Sequence, residues 1–230
     1  MPEETTGLDL VGIGKLAQAI PDTVWKKLVD TACDTFSKTI SPLTATTSGL
    51  GRLIEAKFDG MVEAQKVYAA DTIQRAQKKI DQTKNTDTGT NKRVKSVVLI
   101  DAIEKSSIET DEGFREIWAN LIANEFLGGQ VHPEFPRVLE RLSYEDAVVF
   151  LEIAEKNQKD KIKRAIKSIT VSLLLGIGTI SLSLREETDF HREHLKNLHL
   201  VRSSESNWSL TLFGEEFLKA VTDPSFSLEE

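Results

Sequence analysis

Apolar residues recur along this chain at three- and four-residue intervals far more often than they alternate, and that spacing predicts helices. The clearest run lies between Glu109 and Ala154. Phe114, Ile117, Trp118, Leu121, Ile122 and Phe126 fall on one stripe, which must be buried. Thr110, Asp111 and Glu112 place a cap oxygen and negative charge where that helix begins, and Gly128-Gly129 ends it by offering left-handed C-cap geometry. Pro133 and Pro136 sit near the start of a second segment, where a missing amide costs least; its apolar side is Phe135, Val138, Leu139 and Leu142. Ser143 with Asp146 reads as a capping box opening a third helix through Val148, Val149, Leu151 and Ile153.

Upstream, residues 8–20 are mildly apolar and loosened by glycine, and Pro21 interrupts them. Trp25, Leu28, Val29, Ala32, Phe36 and Ile40 then form a second stripe, suited to core, oligomer or interfacial contact. Residues 42–51 read as a small-residue connector. They lack the Lys and Ser or Thr that follow a phosphate-binding loop. From Leu53 to Ile80 the pattern predicts one long charged helix with a seam through Ile54, Phe58, Tyr68, Ile73, Ala76 and Ile80. Residues 81–91 form an exposed linker, and a helix starts near Lys92 and carries Val94, Val97, Val98, Ile100, Ala102 and Ile103.

Downstream, the run between Thr170 and Leu184 is apolar but too short to cross a membrane, and reads as buried strand or strand-loop. A helix over 190–200, a polar hairpin over 201–212 and a closing helix complete the chain. The expected fold is mainly α: a helical bundle with a C-terminal winged-helix-like α+β unit. Its expected divisions are an amino-terminal helical region with a linker (1–90), a helical core (91–160) and the winged-helix-like region (161–230).

Composition adds limits. At 40% apolar and 28% charged, the 230 residues can bury a sizeable core, so the chain is not of the disordered class. A net charge of -7 gives no global attraction to nucleic acid or anionic lipid, so any such contact must be local. Two local basic sets are candidates for phosphate contacts: Lys163, Arg164 and Lys167 in the run after Glu155, and Arg192, Lys196 and Arg202 near the hairpin. The single cysteine, Cys33, excludes an internal disulfide and reads as a buried thiol. The N-terminus lacks the order of a secretory signal, so cytoplasmic residence is the default, with peripheral membrane contact by the amino-terminal helices as a variant.

No chemistry-bearing constellation stands out. His191 and His194 with Glu187 could share a helix face, but they lack the zinc-protease spacing and read as surface residues of a charged helix. His132 reads as structural or exposed, and the acidic clusters around Asp111 and Asp146 as helix caps. Catalytic residues, metal and cofactor are therefore each expected to be none.

The segments DEGFREIWANLIANEF (111–126) and HPEFPRVLERLSYEDAVVF (132–150) resemble the abortive-infection alpha family, Abi-alpha. LKNLHLVRSSESNWSLTLFGEEFLKAV (195–221) is similar to that family's helix, short hairpin and closing "LT-x-x-G-x-x-F", here Leu210, Thr211, Gly214 and Phe217. The resemblance spans residues 94–221. It implies a part in defence against phage and supplies no catalytic residues. The resulting expectation is a non-enzymatic phage-defence or stress-response protein that works through a protein partner or as a homo-oligomer. A winged-helix DNA-binding regulator and a membrane-associated effector are the alternatives.

Overall fold

A computed structural model describes residues 21–44, 49–84, 94–128, 130–156, 169–170, 173, 188–204 and 207–226. Among these residues the chain forms α1 (Asp22–Thr44), α2 (Leu50–Asp59), α3 (Glu63–Lys84), α4 (Ser96–Ser106), α5 (Glu112–Gly128), α6 (Phe135–Glu140) and α7 (Tyr144–Lys156). Then follow α8 (Thr188–Asn197), β1 (Val201–Ser204), β2 (Asn207–Leu210), α9 (Leu212–Val221) and a single 3-10 turn at Pro224–Phe226. The chain is mainly helical, with one small antiparallel sheet near its C-terminus.

One hydrophobic core runs from Ala32 on α1 to Val221 on α9, and α5 is its axis. Trp118, Ala119, Leu121, Ile122 and Ala123 are all buried, so α5 is enclosed on nearly every side rather than along one stripe. α3, α4 and α9 pack on it, and α1 covers α3 from outside. The Phe36 and Phe58 rings stack at 3.7 Å to join α1 to α2. Phe135 meets Phe213 and Phe217 edge to face, which ties α6 to α9.

Several caps follow the sequence. Asp111, not Thr110, caps α5 by accepting from the Phe114 amide at 2.8 Å. The Ser143–Asp146 capping box is complete: Ser143 N donates to Asp146 Oδ2 at 2.8 Å, and Asp146 N donates to Ser143 Oγ at 3.1 Å. Pro136 stands in the first turn of α6.

Other boundaries differ. The long helix expected from Leu53 to Ile80 is two helices, because Gly60 caps α2 and the Gln65 side chain accepts from the Val62 amide at 3.2 Å to start α3. Of the expected connector, Pro42 to Thr44 remain within α1, Gly49 turns the chain at φ 90, Leu50 and Gly51 belong to α2, and residues 45–48 lie outside the described residues. Asp81 to Lys84 are helical; the remainder of the expected linker lies outside the described residues. α4 begins at Ser96 rather than Lys92. In the run expected as strand, the described residues Thr170 and Leu173 are helical, and Leu173 is buried.

At the C-terminus, Val201 pairs with Leu210 and Ser204 with Asn207. Thr211 then caps α9, accepting from Gly214 N at 2.9 Å while its hydroxyl donates to the His199 carbonyl at 2.5 Å. A Cβ on Gly214 would stand 2.0 Å from the Leu200 carbonyl oxygen, so only glycine lets the helix start this close to the hairpin. Phe217, one turn on, is 1% exposed. The Thr-x-x-Gly-x-x-Phe spacing is thus a helix start, a close approach and a core anchor.

Candidate functional site

The most concentrated polar chemistry lies along α3, where its outer face runs between α1 and α5. Leu28, Thr31, Ala32 and Thr35 of α1, Val67, Tyr68, Ala70, Asp71, Gln74 and Arg75 of α3, and Arg115 of α5 line an open depression of about 380 Å³. A second depression of about 430 Å³ adjoins it, lined by Asp71, Arg75, Lys78, Lys79, Gln82 and Glu116. Asp71 and Arg75 belong to both.

Arg75 is the hub. Its guanidinium donates to Asp71 at 3.0 Å, to Glu112 at 3.1 Å and to Glu116 at 3.1 Å, bridging α3 to α5. Lys79 continues the seam to Glu116 at 2.6 Å and to Asp223, beyond α9, at 2.5 Å. Arg115 brings Nε to 3.3 Å from Asp71, donates to the Thr110 carbonyl at 3.1 Å and lies over the Tyr68 ring at 4.9 Å.

At Arg75, Glu116 and Asp223 burial works against the charge, and the groups around each outweigh it. Arg75 is held above its ordinary pKa because burial is overcome by Glu116, Glu112 and Asp71. Glu116 is held below the usual carboxylate range, burial being overcome by Lys79 and Arg75. Asp223 is likewise depressed, by Lys79 and by the Ser225 hydroxyl and amide against burial. Such a set can hold helices in register and present fixed charge to a partner. Arg75, Glu116 and Asp223 are each stabilised in the ionised form, so none of these three is a poised acid or base.

Of the residues expected to contact nucleic acid, Arg192, Lys196 and Arg202 fall among the described residues. Lys163, Arg164 and Lys167 lie outside them. Within α8, Arg192 pairs with Asp189 at 3.2 Å and Lys196 with Glu193 at 3.0 Å, and Arg202 donates to Ser209 Oγ at 3.1 Å across the hairpin. Local acids thus offset both cations of α8.

His191 departs from expectation. It is buried rather than on a charged surface, with Nδ1 2.9 Å from Asp146 Oδ1. The capping-box carboxylate of α7 therefore also anchors α8. His194 Nε2 donates to the Arg141 carbonyl at 3.0 Å on the same side. Among the described residues no group of three or more His, Cys, Asp and Glu could hold a metal ion. His132 is exposed and packs its ring near Phe135 and Phe213, and Cys33 is half-buried rather than fully enclosed.

Sequence reasoning assigned no role to the polar members of IWANLIANEF, and the structure gives each one. Asn120 donates to the Val221 carbonyl at 2.9 Å, while Asn124 donates to those of Ala220 at 2.9 Å and Thr222 at 2.7 Å. Together they satisfy the carbonyl end of α9. Glu125, fully buried, accepts from the amides of Lys95 at 2.5 Å and Val131 at 3.2 Å, fixing the start of α4 and the loop after α5. Burial raises its pKa, with the two amides and Lys95 opposing. The signal available in the sequence was polar residues on a helix otherwise apolar all round; their partners are distant in the chain.

No helix among the described residues is long and apolar enough to cross a membrane. No curated protein and no solved structure matches the chain. A family model described as abortive infection alpha matches residues 68–221, which takes in α3 from Tyr68 as well as the segments from α4 to α9. With most of its length covered by that match, the chain belongs to the abortive infection alpha family.

Proposed function

We propose that this chain is a phage-defence protein of the bacterial cytoplasm that acts by associating with protein rather than by catalysing a reaction. The observation that carries the defence reading is the family match over residues 68–221. The outer face of α3 supports the mode of action. Its depressions are open, and the ionisable groups that line them, Lys78 apart, pair with one another instead of flanking a reacting atom.

Plating a broad phage panel on cells with and without the chain, at matched expression, tests the reading, together with survival of the infected cultures. Fewer plaques accompanied by death of the infected cells are expected. Unchanged plating across the panel despite soluble expression would overturn it.

A further inference from the structure

From the outer face of α3 we infer that a second copy of this chain docks there, antiparallel, across a two-fold axis between Gln74 and Arg75. The inference rests on the proposed action by protein association and names the partner. Along that face Val67, Asp71, Gln74, Lys78 and Gln82 follow one another at three- and four-residue spacing, over about 24 Å of helix. Gln74, Lys78 and Gln82 are exposed and the other two are partly so. Lys78 lines the second depression and has no ion-pair partner among the described residues.

The order of charge on this face is self-complementary in one sense only. Asp71 and Lys78 lie equally far on either side of the point between Gln74 and Arg75, and so do Val67 and Gln82. An antiparallel pair therefore places each Asp71, whose Oδ2 already lies 3.0 Å from Arg75 and 3.3 Å from Arg115 of its own copy, opposite the other copy's Lys78, twice. A parallel pair would set Asp71 against Asp71 and Lys78 against Lys78, which is repulsive at both. An isologous contact uses one patch on both copies, as this pattern requires. Arg75, already held by three carboxylates, meets the neutral Gln74 near the axis. Val67 and Leu28, the latter 41% exposed, give apolar surface to cover at each end.

Sedimentation velocity on the full chain, with single-cysteine cross-linking in a Cys33→Ser background, tests this directly. A dimer is expected at micromolar concentration, weakened by salt. Lys78→Glu should weaken it roughly tenfold or more, because two attractions become repulsions. Gln74→Cys should cross-link to itself under mild oxidation, whereas Lys26→Cys on α1 should not. A mixture of Val67→Cys and Gln82→Cys chains should cross-link between the two and not within either, which a parallel pair would reverse. A monomer at about 100 μM, well above the range of a specific micromolar contact, overturns the inference. So does a dimer indifferent to Lys78→Glu and silent at Gln74→Cys. These readouts need no phage, so a failed plating assay and a failed dimer remain distinct results.

Discussion

Glu116 and Glu125 sit on the same helix, α5, and both are drawn out of water, yet they are stabilised by opposite means. Glu116 is met by two full positive charges, Lys79 and Arg75, and its pKa falls. Glu125 is met chiefly by two backbone amides, and its pKa rises. Counter-charges at salt-bridge distance recover more of the lost hydration than peptide dipoles do, so burial wins at one site and loses at the other. The contrast separates a seam that depends on ionisation from a polar clasp strained by it.

Removing each clasp should break the comparison at its strongest point. Glu125→Ala leaves the Lys95 and Val131 amides without their carboxylate in a dry site and should cost about 3–5 kcal/mol in urea unfolding. A loss below about 1 kcal/mol, the range of an ordinary exposed change, would contradict the assigned role. Lys79→Met strips Glu116 and Asp223 of a shared cation while leaving Arg75 in place, for about 2–4 kcal/mol. An exposed pair gives the lower end of the scale. Lys57 and Glu104 meet at 3.0 Å with both side chains about half exposed, and Lys57→Ala should change stability by less than about 1 kcal/mol.

Acidity sharpens the same contrast. Because the Glu116 and Asp223 pKa values are depressed, their contribution is complete above the ordinary carboxylate range and is lost as pH falls through their lowered values. For Glu125 the sign reverses: its contribution is present below the ordinary glutamate pKa and is lost as pH rises through its raised value. Stability measured against pH should therefore lose part of its acid limb in Glu116→Gln and part of its decline toward neutral pH in Glu125→Gln. The same profile in both variants would contradict the assignment.

How far the sequence reached is clear from particular elements. The α5 stripe, the Ser143–Asp146 box, the hairpin and the closing helix are set by neighbours close in the chain, and all are legible. The break at Gly60 was harder to read, because the apolar seam continues across it on both sides. Nothing within reach of His191 in the chain announces its partner, since Asp146 is 45 positions away.

By itself, then, the order of apolar and polar residues determined that this chain is helical, where most helices start and which faces are buried, because backbone hydrogen bonding and side-chain periodicity are local properties. Family membership was also legible, being carried by contiguous motifs. Only the tertiary structure decided which charges meet. Arg75, Glu112, Glu116, Lys79 and Asp223 are spread over more than half the chain, and the packing of α3 on α5 brings them into one seam. Ion pairs and their pKa shifts depend on distances of a few ångströms across that packing, and separation along the chain carries no record of them.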